Sequence, residues 1–396
     1  MSATNQESTH WVSVTALIFC GVVAAMQLGK VAIGAPLLQE QLNFSFSHIG
    51  WLTALFSILG MLGGIPIGTL VMRHGQRRSV ILGLLILAFG SLASTAGTSI
   101  AWLLAFRMVE GLGFVLVIVA CPALINRATH PRHKNLTLSL WSCFMPFGMC
   151  ISIFIGGWFT NWTWLWWLCA FLPLVALALV LRFTSPPPAD LVFPRFKEIA
   201  AQLKQLLSTT IAPVFTAVFA LYSLMYFALF SFLPLLLVER MAFSVAQAGY
   251  FTAFAALANA TGNLGAASLI SAGMARNKLL LIACVVMMAC GISLFFANPT
   301  PILALVLCLV FSGTGGLIPA TVISSVPRIA PTAAAIPVTI GLTMQGSNMG
   351  QVVGPALVGS SVEHFGWHAA GIIILLSGSF ACFLILRYLS KDTLGK

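Results

Sequence analysis

The sequence predicts an all-α polytopic membrane protein: twelve transmembrane helices forming two pseudo-symmetric six-helix bundles around a central cavity. Three observations predict it. The 396-residue chain is 59% hydrophobic and only 7% charged, whereas a soluble domain carries about 25% charged residues. Its apolar runs continue for around twenty residues, the length a helix needs to span hydrocarbon. Membrane barrel strands would instead alternate over roughly ten-residue segments. Finally, landmarks of the first half recur in the second.

The apolar runs place spans at about 12–38, 47–71, 79–97, 100–123, 137–159, 162–183, 210–237, 246–270, 279–297, 300–324, 334–360 and 367–388. Short connections make consecutive spans antiparallel neighbours. Residues 1–183 form the first bundle and 210–396 the second. The connection 184–209 begins Ser185-Pro186-Pro187-Pro188. Beyond it, Phe196, Ile199, Leu203 and Leu206 fall at helical spacing among Arg195, Lys197 and Lys204, which predicts an interfacial amphipathic helix.

Charge sets the orientation. Sixteen of the nineteen Lys and Arg residues lie in the termini and loops of one side; Arg240 alone lies on the other, and Lys30 and Arg107 fall inside spans. By the positive-inside rule both termini are cytoplasmic, in a bacterial inner membrane. The net charge of +11 is then explained by topology and by contact with anionic lipid, without nucleic acid. Met1–His10 lacks a basic, apolar leader pattern, so the first span serves as its own insertion signal. The nine cysteines are scattered through apolar runs with no metal-ligand spacing, as small buried hydrophobes are. No metal and no cofactor are expected.

The duplication is legible at an offset near 200. Gly50–Ser57 (GWLTALFS) matches Gly249–Ala256 (GYFTAFAA), each preceded by Phe-Ser, at Phe44-Ser45 and Phe243-Ser244. Arg127 and Arg328 follow the fourth and tenth spans, Gly156 pairs with Gly359, and Trp164 with Trp367. Several coincidences in order indicate an internal repeat.

Chemistry concentrates in the fourth span, where Arg107 and Glu110 interrupt the apolar run from Ile100 to Ala123. Residues three apart share a helix face, and a charge at the bilayer centre costs roughly 2.5 to 3.5 kcal/mol even on permissive scales. Lys30 lies about five residues beyond the centre of the first span, roughly 7 Å at the helical rise. Arg107 lies about as far out in the antiparallel fourth span, with Glu110 near the midplane. Two cations and one acid form a net-positive group suited to a small organic anion: Arg107 by a bidentate fork, Lys30 as a point charge. A buried Arg107–Glu110 pair with Lys30 snorkelling outward accounts for the same residues.

Further polar residues share helix faces: Gln27 with Lys30, Tyr222 with Tyr226, Asn259 with Asn263, and Gln345 with Asn348. They supply hydrogen bonds to a solute or glue between helices. Trp158, Trp162, Trp164, Trp166 and Trp167 read as an aromatic belt.

The loop after the second span carries Gly68, Leu70, Arg73, Gly75, Arg77 and Arg78. It resembles the G-x-L-x-D-R-x-G-R-R pattern of the major facilitator superfamily, with Met72 where that family has its acid. Arg107 and Gly111 are similar to the family's R-x-x-Q-G motif, with Glu110 for Gln. Gly350, Gly354, Pro355 and Gly359 resemble its G-x-x-x-G-P motif, although they stand in the eleventh span. The resemblance covers the whole chain. A slighter likeness to the cyanate and nitroimidazole transporter group lies in Glu110–Phe114 and in Trp141 with Met145–Gly148.

The resemblance implies that the first, fourth, seventh and tenth spans line the cavity and that the Gly68–Arg78 loop latches a cytoplasmic gate. It implies a monomeric secondary transporter of a small organic solute, working by alternating access between its halves, and no enzyme. With no nucleotide-binding pattern, the energy source is a proton gradient with Glu110 as carrier, because a buried carboxylate is tuned to titrate. Proton-coupled movement of an anion and proton-driven efflux of a drug or metabolite both fit.

Overall fold

The computed structural model describes residues 8–185, 196–332 and 335–389. The first half comprises α1 (Trp11–Leu42), α2 (Phe46–His74), α3 (Gln76–Ser94), α4 (Ile100–Ala128), α5 (Lys134–Ser142), α6 (Phe144–Gly156) and α7 (Trp162–Phe183). After α8 (Phe196–Leu207), the second half comprises α9 (Ile211–Phe230), α10 (Leu233–Met241), α11 (Val245–Ser271), α12 (Arg276–Phe296), α13 (Pro301–Gly315), α14 (Leu317–Ile329), α15 (Ile336–Phe365) and α16 (His368–Leu384).

Three predicted spans are each built from two helices: α5–α6, α9–α10 and α13–α14. A proline interrupts the helix by clashing with the carbonyl four residues earlier. The breaks fall at that position: α5 ends at Ser142 before Pro146, α9 at Phe230 before Pro234, and α13 at Gly315 before Pro319. Pro122, Pro173 and Pro355 lie inside helices that continue.

Ten of the helices or stacked pairs are long and apolar enough to cross a membrane, and the bent α5–α6 pair, at 41°, makes an eleventh. The remaining span is α15, whose thirty residues include the buried polar side chains Thr339, Thr343, Ser347, Asn348 and Gln351. Its length and its packing between α2 and α9 place it in the bundle despite that polarity.

The repeat predicted from sequence is also a repeat of backbone detail. Asn43 and Ala242 end the first and seventh spans in the left-handed region, at φ 54° and 53°. Ser45 with His48 and Ser244 with Gln247 then form capping boxes at the starts of α2 and α11. In such a box each side chain satisfies a free backbone N–H of the other residue.

Among the described residues, thirteen of the basic residues mark one end of the molecule, called here the basic face. Away from it the halves meet closely: α2 runs along α15, α6 packs on α11, and α1 touches α10. Gly50 lies against the carbonyl of Pro355 and Gly359, and Gly157 lies against Ala246. Side chains reinforce that far face. Phe46 meets Trp367 edge-on at 5.3 Å, the Ser47 N–H donates to Glu363 Oε2 at 3.1 Å, and Trp158 donates to the hydroxyl of Tyr250. Toward the basic face, α5 packs on α1 and α4 within its own half. The far face is therefore the closed one.

Two expectations are refined. Helix α8 forms as the apolar spacing predicts, with Ile199 and Leu206 buried, but it docks against α9 and α15. The side chain of Phe196 and residues 186–195 lie outside the described residues. In the tryptophan cluster Trp158, Trp164 and Trp167 are exposed as a belt requires, whereas Trp162 and Trp166 are buried. The Ser91 hydroxyl bonds the Trp166 carbonyl and draws that residue inward.

Candidate functional site

Lys30, Arg107 and Glu110 meet in one buried cluster. Lys30 Nζ donates to Glu110 Oε1 and Arg107 Nη1 donates to Glu110 Oε2, each at 2.5 Å. All three side chains are at most 1% exposed. Lys30 also donates to Ser91 Oγ at 2.6 Å and lies 5.0 Å from the centroid of the Trp166 ring. Arg107 stacks on Phe56 at 4.5 Å, donating from Nε to the Leu52 carbonyl at 2.8 Å and from Nη1 to the Gln27 carbonyl at 3.1 Å. Its Nη2 has no hydrogen-bond partner among the described residues.

The depth argument from sequence, with Lys30 level with Arg107 and Glu110 one turn nearer the midplane, is consistent with this contact, since a lysine side chain spans that turn. Close packing does the rest. A Cβ on Gly90 would lie 2.8 Å from Glu110 Cγ, and one on Gly111 would lie 2.2 Å from the Phe56 carbonyl. Glycines at both places let α3 and α2 approach the charged helix. Gln27 donates from Nε2 to the Cys169 carbonyl at 2.7 Å, fixing its amide beside the cluster.

Both cations point into the first bundle, toward α2, α3 and α7. The expectation was a face looking into the space between the halves. In this conformation Glu110 takes both cations, and its two oxygens are divided between them. Breaking a buried ion pair by removing one partner costs about 3–5 kcal/mol, so Glu110 holds the cluster together.

In the second half Tyr222, Tyr226 and Asn259 are brought together, all buried. Asn259 Nδ2 donates to the Tyr222 hydroxyl at 3.0 Å and to the Ser312 carbonyl at 3.1 Å; Asn263 donates to Asn259 Oδ1 at 2.9 Å. Tyr226 stacks on Phe230 with centroids 4.4 Å apart. This cluster is neutral and joins α9, α11 and α13.

Gln345 and Asn348 belong to a third group, along the seam between the halves. Gln345 Nε2 donates to the Met61 carbonyl at 3.3 Å, while the Asn348 amide lies against Gly60. Next to them Ser57 Oγ donates to Gln351 Oε1 at 3.0 Å, Gln351 Nε2 donates to Ser347 Oγ at 3.3 Å, and Ser347 bonds Ser223 at 2.8 Å. Sequence reasoning missed Ser57, Ser91 and Gln351, which are single small or amide residues in apolar runs. The repeat offered no signal for Ser57, which stands opposite Ala256 in the second copy.

In the loop after α2, Gly75 adopts φ 90°, a conformation that favours glycine, and Gly273 repeats it at 91°. Arg77 donates to Thr184 Oγ1 at 3.1 Å and to the Leu181 carbonyl at 3.2 Å, so it ties the loop to the end of α7 in its own half. Asn277 donates likewise to the Leu389 carbonyl at the end of the second half. Arg78 is exposed. Gly68 and Arg73 lie in the last turns of α2, and their side-chain surroundings fall outside the described residues. Among the described residues no group of three or more His, Cys, Asp or Glu could hold a metal ion.

A family profile described as Major Facilitator Superfamily matches residues 17–336. The chain belongs to the Major Facilitator Superfamily. Its fold is that of solved transporters of this superfamily. A bacterial homologue of the human lysosomal transporter Spinster, in an inward-facing and occupied conformation, superposes with a TM-score of 0.82 over 99% of each chain at 15% identity. The nucleoside transporter NupG gives 0.79 over 96% of this chain and 99% of its own, at 11% identity.

Among proteins of known sequence, the methyl viologen resistance protein SmvA of Salmonella typhimurium is 27% identical over 152 residues, 37% of this chain and 30% of its own length. The tetracenomycin C resistance and export protein of Streptomyces glaucescens is 25% identical over 147 residues, 37% of this chain and 27% of its own. This chain thus matches under a third of the length of these relatives. Members of the superfamily are transporters rather than enzymes.

Proposed function

We propose that this superfamily member is a monomeric secondary transporter that expels a small organic solute by alternating access, driven by inward proton flow. Its basic face lies in the cytoplasm of a bacterial inner membrane, so the conformation described here opens inward. The observation that carries this reading is the Lys30–Glu110–Arg107 cluster, sealed within the first bundle and built around one acid. Protonating Glu110 removes the charge that holds two cations, which couples a proton to the packing of α1, α2 and α4. Both cations are engaged there, and the Ser57–Gln351–Ser347 chain at the seam and the Tyr222–Asn259 cluster in the second half are neutral. That favours a neutral or cationic amphiphile over an anion. The resistance and export functions named for two relatives point the same way.

A second reading is proton-coupled movement of an organic anion. It is favoured by the excess of one positive charge in the cluster and by the unpartnered Nη2 of Arg107. On that reading Lys30, Arg107 and Gln27 contact the solute when the cluster rearranges, with Tyr222, Tyr226, Asn259, Gln345 and Asn348 supplying neutral hydrogen bonds.

Proteoliposomes with an imposed pH gradient test both. Uptake of methyl viologen into acid-loaded vesicles, abolished in Glu110→Gln while solute exchange persists, is the expected result. Accumulation of an organic anion with the proton gradient, lost in Arg107→Ala, would replace the first reading by the second. A Glu110→Gln protein that still concentrates solute normally would remove Glu110 as the carrier under either.

A further inference from the structure

A groove of about 500 Å³ runs along the outside of the first bundle between α1 and α7, with Trp11, Thr15, Phe19, Leu179 and Phe183 among its lining residues. Its size falls in the roughly 300–1,000 Å³ range of small-molecule sites. It is open sideways: Trp11, Val12 and Phe183 are 42%, 58% and 40% exposed. Trp11 is the first residue of α1 and Phe183 the last of α7, so the groove begins at the level of the basic face and extends into the apolar belt. Ser13 Oγ donates to the Phe183 carbonyl at 2.5 Å, which pins the two helices together at that end.

The mouth is basic. The Arg182 guanidinium lies 5.4 Å from the centroid of the Phe183 ring, on one wall of the groove. The His133 ring lies 5.5 Å from the Trp11 ring, on the other wall. Arg77, bonded to the Leu181 carbonyl and Thr184, brings a second guanidinium to the same helix end. Cations at a helix C-terminus are favourably placed and attract the anionic leaflet.

We infer that this groove binds one anionic phospholipid, with an acyl chain against Thr15, Phe19 and Leu179 and the headgroup phosphate on Arg182. Apolar walls exclude a water-soluble ligand from the groove itself, and the guanidinium at the mouth selects negative over zwitterionic headgroups. The inference rests on the outer surface of α1 and α7 and is independent of the solute carried.

The test is native mass spectrometry of the purified full chain in detergent with equimolar phosphatidylglycerol and phosphatidylcholine of identical chains. One phosphatidylglycerol should be retained in roughly fivefold preference, the effect of one basic residue near a membrane surface. Arg182→Gln should bring the ratio to about one. Thr15→Trp, which fills the groove, should lower retention of both lipids, and Val12→Trp at the more exposed neighbouring position serves if that variant does not fold. Equal retention of the two lipids by the unaltered chain would overturn the inference, as would an undiminished preference in Arg182→Gln. Displacement of the lipid by soluble glycerol phosphate would also overturn it, because the acyl chain would then contribute nothing.

Discussion

Arg107 donates from Nε to the backbone carbonyl of Leu52 at 2.8 Å, fastening the charged helix α4 to α2. One turn on, Phe56 carries the guanidinium on its ring, and the adjacent Ser57 bonds Gln351 across the seam. Helix α2 thus has one face on the ion cluster and another on the second half. A change at Glu110 reaches the seam through this single rigid element.

That relationship separates charge from geometry. Lysine at position 107 keeps the charge but lacks a guanidinium Nε and the planar fork. Arg107→Lys should retain the fold, seen as a melting temperature within a few degrees of the parent, while reducing proton-driven transport at least tenfold. Unimpaired transport would mean that the bond to Leu52 carries no coupling.

The charge balance of the cluster orders a second pair of variants. Lys30→Met leaves one cation and one acid, whereas Glu110→Gln leaves two cations side by side in a buried site. Removing the shared partner of a buried ion network costs about 3–5 kcal/mol. Glu110→Gln should therefore be the less stable of the two in thermal unfolding in detergent, by more than about 1 kcal/mol, since the like charges remain. The reverse order would mean that Lys30 is held by Ser91 and Trp166 more than by Glu110.

The seam is testable by a double-mutant cycle. Ser57→Ala, Gln351→Ala and the double variant should show a coupling of about 0.5–1.5 kcal/mol, the net worth of a hydrogen bond. The readout is the fraction of molecules with the far face closed, measured by the distance between spin labels on the far ends of α2 and α15. Additive effects would show that the two side chains act separately.

Close approach gives a fourth prediction. A Cβ on Gly50 would lie 2.4 Å from the Pro355 carbonyl, a backbone atom that cannot swing aside. Gly50→Ala should hinder far-face closure and raise the labelling rate of a cysteine placed at Ala246 severalfold, with the fold intact. Gly111→Ala, at 2.2 Å from the Phe56 carbonyl within one half, should instead lower overall stability without altering that labelling rate. Equal labelling of the Gly50→Ala and parent proteins would show that the approach of Gly50 to Pro355 does not limit closure of the far face.

The spans and the duplication were legible because membrane hydrocarbon imposes length and apolarity on each segment independently of its neighbours. The repeat extended further than the matched residues suggested, down to the left-handed caps Asn43 and Ala242. Only α15 departed from the apolar rule. Its amides are tolerated because they bond other helices, and hydropathy along one segment does not register a neighbour.

Lys30, Arg107 and Glu110 stood out for the same reason: a charge in hydrocarbon is costly enough to be noticed singly. Their relative depth also followed, since antiparallel helices with a fixed rise align positions that far apart. The direction in which they face did not follow. Ser91 is 61 residues from Lys30 and Leu52 is 55 from Arg107, and neither is conspicuous in an apolar run. The sequence by itself determined which residues are expensive, how many helices carry them and which end is basic. Tertiary packing decided that both cations turn inward onto one carboxylate, because the close approach of α2 and α3, at Gly111 and Gly90, is set by contacts between distant helices.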